Sequence, residues 1–502
     1  MLEMETLKVV TLFSGIGCQE RGIDNADLFD IDVVATSDID KDAIVSYASI
    51  HCGLTPELVN TYEQYPSRED MVKELSEKNI GYDFTKKKPY DWNKVERKKD
   101  KSELNRYWLA VQLSKNFGDI SKVHTLPDCD LLTFSFPCTD ISLSGKQKGL
   151  SYEDWEKGAN TRSGLVWEVV RLLKDYKSKN KLPQYLLMEN VANLVSKKFI
   201  GDFNYLNTLI SDIGYNVYWK VLNAKDCGVP QNRKRVFAVY IRKDIDKGRM
   251  TFPASFDNGV RLKNILEQNI DDKYYLSEKV CARLVITDTE LKKNVVGTIK
   301  PDFRTIGQRD DVYNCNGFMG ALISTDYKQP KQILQGDKGN YRVRKLSPVE
   351  CFKLMGLTPK DVEKCRLNDV SDSSLYKQAG NGIVTNCIEL IIEHLYKGQY
   401  NSDFVCFDDF FSKPHRDKPK LIGGVGERNF GKQFRQGNRV YSSDHVAMCL
   451  TSQPLGNAGG FSYLYLIDDT TGFSPEPLIY TDYSPTLRAH RFGLKVVEGK
   501  VN

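Results

Sequence analysis

The feature that most constrains this chain is a short apolar, β-branched run, Lys8 to Phe13, which breaks at Ser14-Gly15-Ile16-Gly17 before residues that can start a helix. A second strand-like run, Asp32 to Thr36, ends at Ser37-Asp38-Ile39-Asp40, and a helical stretch from Lys41 to Ile50 follows. The order βαβα predicts a parallel sheet with helices on both faces. Further strands read at Asp130 to Phe136, Gln184 to Met188, Val217 to Leu222 and Arg235 to Ile241. Between two of them Leu165, Val169, Leu172, Leu173 and Tyr176 share one helical face. Residues 1–243 are therefore expected to form the first part of an α/β, doubly wound domain, interrupted at 54–117 by a charged, helical insertion.

From 244 to 341 helical periodicity fades, glycine, aspartate and short β-like runs take over, and a small separate β-rich domain is expected. Helical pattern resumes at Ser347 to Met355 and Val384 to Leu395, so residues 342–397 are read as a return to the first domain. The last segment, 398–502, is glycine-rich and β-like, and it carries an internal repeat. Val312-Tyr313-Asn314-Cys315 leads to Leu322-Ile323-Ser324-Thr325, and Val440-Tyr441-Ser442-Ser443 leads to Leu450-Thr451-Ser452-Gln453 at the same spacing. A looser copy runs from Ile479-Tyr480-Thr481-Asp482 to Thr486-Leu487. The tail is expected to contain strands like those of the small domain.

A length of 502 residues suits two or three such domains. No stretch approaches the apolar length of a membrane span, and acids among the first eight residues are unlike a signal peptide, so a cytoplasmic protein is expected. The twelve cysteines are scattered without Cys-x-x-Cys pairs, so no metal site is expected. The net charge of +5 conceals two basic stretches. Between Phe84 and Lys101 there are eight basic residues against three acids, and from Lys413 to Arg439 eight against Asp417 and Glu427. Each fits a solvated loop or a polyanion partner.

Chemistry concentrates at the strand ends. In Phe13-Ser14-Gly15-Ile16-Gly17 the glycines let backbone approach a ligand, and Asp38 could accept hydrogen bonds from ribose hydroxyls, so a nucleoside cofactor fits. The dinucleotide pattern G-x-G-x-x-G is not met, and an ordinary turn would read the same way. Cys138, in Pro137-Cys138-Thr139-Asp140, follows the strand at 130–136 and would face the crevice, with Lys146 and Lys148 placed to favour its thiolate. Glu189 follows the next strand, and Arg233 and Arg235 precede another. Together they provide a nucleophile, a proton donor and anion or carbonyl clamps.

With these motifs in view, the chain resembles the DNA (cytosine-5) methyltransferases over most of residues 8 to 397, in the family's motif order. Phe13 to Gly17 resembles the cofactor loop, Asp38-Ile39 the ribose and adenine contacts, and Gly118-Asp119-Ile120 the contact to the adenine amine. Pro137-Cys138 resembles the catalytic loop, Glu189-Asn190-Val191 the ENV motif, and Gln231-x-Arg233-x-Arg235 the QxRxR motif. Arg344-Lys345-Leu346-Ser347-Pro348-x-Glu350 with Gly356 resembles the ninth motif. Gln378-Ala379-Gly380-Asn381-Gly382-Ile383-Val384 resembles the tenth, which brings Asn381 to the cofactor side. Departures from the family pattern are Thr139 and Ile141 in the catalytic loop, Cys18 for a glycine, Ile39 for an aromatic, and Gly382 for a serine.

The resemblance implies a Rossmann-like fold dependent on S-adenosyl-L-methionine, with no metal, and a β-rich target-recognition domain at 244–341. It implies that Cys138 adds to C6 of a flipped-out cytosine in a specific double-stranded DNA sequence and that Glu189 protonates or hydrogen-bonds N3. Arg235 would hold cytosine O2 and Glu189, and Arg233 the loop carrying Cys138. The loop from Thr139 to Gly149 would close on the base, with Gly145 and Gly149 as hinges. A monomer on DNA is expected, in a restriction-modification or phage context, with a possible cognate endonuclease. Competing readings are RNA methylation by the same residues, a non-catalytic DNA binder on a methyltransferase fold, and a nicotinamide-dependent dehydrogenase. Cys138, Glu189, Arg233 and Arg235 together disfavour the binder, and the missing third glycine disfavours the dehydrogenase.

Overall fold

The computed structural model describes residues 6–83, 88–97, 102–142, 149–150, 152, 162–336 and 341–400, and two strands at 421–424 and 439–441. The chain divides into two compact units, Met1–Asp408 and Asp409–Asn502.

In the first unit the chain order is β1 (Thr6–Leu12), α1 (Cys18–Asn25), β2 (Asp30–Ser37), α2 (Lys41–His51), α3 (Pro56–Thr61), α4 (Arg68–Glu77), α5 (Ser102–Leu113) and β3 (Leu131–Phe134). It continues with α6 (Val166–Ser178), β4 (Tyr185–Val191), α7 (Ile200–Ile213), β5 (Tyr215–Asn223), β6 (Gln231–Asn232) and β7 (Lys234–Arg242). All six strands read from the sequence join one sheet, ordered β2-β1-β3-β4-β7-β5. Neighbours from β2 to β4 run parallel, and β7 is antiparallel to both β4 and β5.

Period-two alternation along the strands explains the layers. In β1, Leu7 and Val9 enter one core and Val10 and Leu12 the other; in β7, Phe237, Val239 and Ile241 oppose Val236, Ala238 and Tyr240. Both faces are covered, as a mostly parallel sheet requires. α6 and α7 fill one side with Val169, Leu172, Leu173, Tyr176, Phe203 and Leu206, and α1, α2 and α5 fill the other.

The stretch 54–117 is more than a charged excursion. Leu75, Trp92, Tyr107 and Trp108 are buried in the same core as α2. Its end returns to the sheet, where Thr36 N–H donates to Lys115 O and Phe117 N–H to Thr36 O. The insertion therefore closes the outer edge of β2.

After β7 come a short α8 (Glu278–Cys281), β8 (Leu284–Ile286), β9 (Val295–Ile299), β10 (Asp311–Asn314), β11 (Met319–Gly320), β12 (Gln332–Gln335) and β13 (Arg342–Lys345). Five of these strands form a second sheet, β13-β12-β10-β9-β8, around a small core of Val296, Ile299, Val312, Leu334 and Val343. This sheet crosses position 341/342, because β13 pairs with β12. β11 pairs instead with β6, tying the second sheet's chain to the segment just before β7.

The chain then forms α9 (Pro348–Lys353), α10 (Pro359–Leu367), α11 (Asp372–Asn381) and α12 (Thr385–Gln399). α9 starts where it does because Ser347 and Glu350 form a reciprocal capping box and Pro348 occupies the first turn. Arg344, fully buried, forms a two-pronged ion pair with Glu350 at 2.8 and 2.7 Å, fixing β13 against that helix. α12 packs on α1, returning residues 385–399 to the first core. In the second unit, β14 (Leu421–Gly424) pairs antiparallel with β15 (Arg439–Tyr441).

Candidate active site

Sheet register brings the sequence motifs to one edge. Leu12 lies beside Ser37 and Phe134, and Phe134 beside Met188, so β2, β1 and β3 end at the level where β4 passes Met188. Asp38, Phe13 and Glu189 are the next residue of their chains, and Cys138 follows β3 by one short turn. The chain leaves β1 toward β2 on one side and reaches β3 on the other, so the crevice opens at the point where strand order reverses.

On the cofactor side the turn after β1 has three positive backbone angles, Phe13 at 58°, Gly15 at 54° and Gly17 at 80°. The space in front of Gly15 is open, whereas a Cβ at Gly17 would meet His51 Nε2 at 2.3 Å. Asp38 shapes this turn. Gly15 N–H donates to Asp38 Oδ2 at 2.8 Å and Asp40 N–H to Oδ1 at 2.8 Å. Burial and then Asp40 hold its carboxyl above the ordinary range. Each oxygen retains acceptor capacity for a ribose hydroxyl. Asp119 accepts from Asn79 and Ser121 at 2.7 and 3.0 Å, while Ile120 is buried among core side chains. Ile39 is half-buried, and its carbonyl accepts from Gly81 N–H. Asn381 is exposed at the end of α11. An open glycine turn beside a carboxylate suits an amino-acid-bearing nucleoside such as S-adenosyl-L-methionine.

Across the crevice Cys138 is half-buried and held through its backbone. Its carbonyl accepts Ile141 N–H at 3.0 Å and Ser142 N–H at 2.8 Å. Three residues that sequence reasoning left without a role fix this segment. Asn190 donates from Nδ2 to Phe136 O at 3.0 Å, and Asn193 does so to Ile141 O at 2.6 Å. Ser163 donates from Oγ to Pro137 O at 2.6 Å, accepts at Oγ from Asp140 N–H at 3.1 Å, and donates its own N–H to Asp140 Oδ2 at 3.2 Å. Asn190 sat in a quoted motif and could have been singled out, but nothing in the local sequence marked Ser163.

Burial pushes the Cys138 thiol up; Arg235 opposes this most, Glu189 reinforces it, and Arg233 opposes it further. The sequence expectation that Lys146 and Lys148 favour the thiolate, and the hinge at Gly145, fall outside the described residues. Among the described residues, the cationic influences on the thiol are arginines from β7 and its approach. A further residue, Arg162, lies within the fields of Asp140, Cys138, Asp38 and Asp40, which oppose its depression by burial.

Glu189 is 8% exposed and forms an ion pair with Arg235, Oε1 to Nε, at 3.0 Å. Burial raises its carboxyl above the ordinary range despite Arg235 and Arg233. The strand does not stop before it: β4 continues to Val191, which pairs with Arg235 of β7. Glu189 is therefore fixed by backbone pairing on a rigid element.

Arg233 departs from its expected partner. Among the described residues it donates from Nη1 to Leu322 O at 2.6 Å and from Nη2 to Gly380 O at 3.1 Å and Gly382 O at 2.7 Å. It thus clamps the chain after β11 and the end of α11, rather than the described part of the loop carrying Cys138. Its fixed fork of donors can reach three carbonyls, which explains arginine at a site only 2% exposed. Gln231 assists, donating to Leu354 O at 2.8 Å and accepting from Leu322 N–H at 3.0 Å. A Cβ on Gly380 would meet Ile323 C at 2.2 Å, so glycine permits this approach.

A nucleoside crevice beside a thiol, a buried acid and an arginine offers the groups that a group transfer needs. The family model of the C-5 cytosine-specific DNA methylases matches residues 92–397, and the chain belongs to that family of S-adenosyl-L-methionine-dependent DNA methyltransferases. It is 32% identical over 401 residues to Type II methyltransferase M2.ScrFI of Lactococcus lactis subsp. cremoris, covering 78% of this chain and 100% of the relative. It is 30% identical over 403 residues to Orphan methyltransferase M.SssI of Spiroplasma monobiae, covering 78% and 97%. A solved structure of S. pombe Dnmt2 methyltransferase matches with a TM-score of 0.46 and 17% identity, covering 78% of this chain and 98% of that one. No helix among the described residues is long and apolar enough to cross a membrane.

Proposed function

We propose that this enzyme methylates C5 of a cytosine flipped out of a specific double-stranded DNA sequence, through a covalent bond between Cys138 and C6. The observation that carries this reading is the convergence of Cys138, Glu189 and Arg235 at one crevice edge, with Glu189 and Arg235 paired at 3.0 Å. Cytosine C5 is a weak carbon nucleophile. Addition of the Cys138 sulfur to C6 moves electron density toward C5 and N3, and a protonated Glu189 donates to N3 to stabilise it. Arg235 orients Glu189 and faces the O2 side of the ring. S-Adenosyl-L-methionine, when bound by the turn from Phe13 to Gly17 with Asp38, Ile39, Asp119 and Ile120, supplies an electrophilic methyl group. Loss of the C5 proton to a base then releases the thiol and restores the ring. Pro137 sets the start of the catalytic loop through its carbonyl bond to Ser163, and Asn381 lies toward the cofactor side.

Flipping is needed because the stacked ring hides C6, at a cost of a few kcal/mol. The 244–341 segment, around the second sheet, would read the target and residues 1–243 with 342–397 would carry the chemistry. Arg233 couples the two by holding Leu322. Modification in a restriction-modification context suits the type II relative named above; a phage context, and action as a monomer in the cytoplasm with or without a cognate endonuclease, complete the reading. Bisulfite sequencing of DNA from cells expressing the chain tests it, with Cys138→Ser as control. Methylation at one defined context, lost in the variant, is expected. Methylation without context, or equal methylation by Cys138→Ser, would overturn the assignment.

A further inference from the structure

We propose that His51 is a positioning residue for cofactor binding: its ring Nε2–H fixes the Ile16 carbonyl and so holds the turn from Phe13 to Gly17 in the form that receives S-adenosyl-L-methionine. This rests on the reading of that turn as the cofactor site. The turn needs support from outside, because Phe13, Gly15 and Gly17 all have positive backbone angles and Phe13 has no glycine's freedom to adopt one. Its first half is held by β2 and the residue after it, through Ser14 N–H to Ser37 O at 3.2 Å and Gly15 N–H to Asp38 Oδ2 at 2.8 Å. Its second half leads into α1, whose backbone bonds start at Gly17, where the carbonyl accepts Arg21 N–H at 3.0 Å. The Ile16 carbonyl thus lies one residue outside that ladder. His51, the last residue of α2, meets it with Nε2 at 3.1 Å. A carbonyl can only accept, so Nε2 carries the proton.

The ring is itself held from two sides. Tyr47, one turn earlier on α2, lies against it with ring centres 5.0 Å apart, and the Tyr47 hydroxyl donates to Glu20 Oε1 of α1 at 3.0 Å. Glu20 is buried, and burial raises its carboxyl above the ordinary range. Beyond the ring, Arg21 of α1 pairs with Asp361 of α10 at 2.9 Å, and Lys364 of α10 donates to Ile50 O at 3.1 Å. Burial and then Arg21 bring His51 down to about 4, with Lys364 adding to them and the Ile16 carbonyl and Asp361 opposing. At neutral pH the imidazole is therefore uncharged and its one proton is committed to Ile16. A Cβ on Gly17 would run into the His51 ring and Tyr47, whereas the space in front of Gly15 is open. His51 thus supports the turn by contact as well as by its hydrogen bond, and leaves the open side to the ligand. Without the donor the turn is free to leave its binding form, and apparent affinity falls with the fraction of chains that keep it. The groups assigned to methyl transfer, Cys138, Glu189 and Arg235, lie on other elements, so the loss belongs to cofactor binding and not to the rate once the cofactor is bound.

The test uses two variants of the full chain. His51→Phe keeps a ring against Tyr47 and Gly17 but removes the donor, and His51→Gln keeps an N–H donor at similar reach without the ring. Calorimetric titration with S-adenosyl-L-methionine gives Kd, and single-turnover methyl transfer to a duplex at saturating cofactor gives the rate. His51→Phe should bind about tenfold more weakly or worse, with the saturated rate within about threefold of the parent, and His51→Gln should recover Kd to within about threefold. Tenfold corresponds to about 1.4 kcal/mol, the scale of a buried carbonyl left without its donor. If phenylalanine overfills the site and the chain does not fold, His51→Leu, smaller and equally without a donor, takes its place. An unchanged Kd in the folded donorless variant, an equal loss in His51→Gln, or a fall in the saturated rate with Kd unchanged would overturn the proposal. A parent chain that binds no S-adenosyl-L-methionine would instead sink the reading of the turn on which it rests, whatever the variants do.

Discussion

Replacing Arg235 with methionine removes the cation that most favours the Cys138 thiolate and the direct partner of Glu189. Arg235 is held in place by Glu189: as two unit charges 3.0 Å apart they attract by about 5–6 kcal/mol at an effective dielectric near 20. Side-chain rearrangement and the high cost of burying both ions leave a smaller part of this as net coupling. Loss of about 1.4 kcal/mol of stabilisation lowers the thiolate population tenfold. The Cys138 thiol is already raised by burial, and removing the cation raises it further. Methyl transfer that depends on the thiolate increases with pH, so the rising limb of its pH profile should move to higher pH in Arg235→Met. At pH 7.5 the rate should fall about tenfold or more, with Arg235→Lys falling less. Single-turnover transfer of a labelled methyl group to a duplex, measured across pH, reads both effects. A limb that stays in place, or moves to lower pH, would refute the electrostatic coupling of Arg235 to the thiol.

Arg233→Met should act on stability and on the set of the crevice. Three buried carbonyls lose their donor, at about 1 kcal/mol each, while relief from burying a guanidinium pulled down to about 9 offsets part; a Tm lower by a few degrees is expected by calorimetry. Gly17→Ala must tolerate a positive φ and a 2.3 Å approach to His51, so cofactor affinity measured by calorimetric titration should fall at least tenfold. Glu389 is pushed up to about 7 by burial and then by Glu393. Its folded value lies above the unfolded one, so its contribution is present below about pH 4 and lost as pH rises through 7. Glu389→Gln should therefore stabilise the protein by about 2 kcal/mol at pH 8 and by almost nothing at pH 4, read by denaturant melts at the two values.

What was legible in the sequence follows from where information is local. The six strands of the main sheet announce themselves as β-branched apolar runs, and their glycine and charged ends mark the crevice because parallel strands align those ends. Asn190 and Glu189 were visible as a pair, although their placement inside a continuing strand depends on pairing with β7. The partners of Arg233 were not visible. Leu322, Gly380 and Gly382 lie far along the chain, and backbone carbonyls leave no signature in residue type. The burial of Trp92, Tyr107 and Trp108 was hidden for another reason, since lysines and acids interleave with them and dilute the apolar pattern. The repeat in the tail was legible as spacing, and both Val312-Tyr313 and Val440-Tyr441 lie in strands that pair antiparallel with an upstream strand.

The central claim is that Cys138 is the nucleophile that joins cytosine C6. A duplex bearing 5-fluorocytosine at the methylated position tests it directly, because fluorine cannot leave as a proton does and the adduct persists. Incubation with the enzyme and S-adenosyl-L-methionine, followed by denaturation and peptide mass spectrometry, should give one protein–DNA crosslink, on the peptide containing Cys138. No denaturation-resistant complex, or a crosslink at another of the twelve cysteines, would contradict the account.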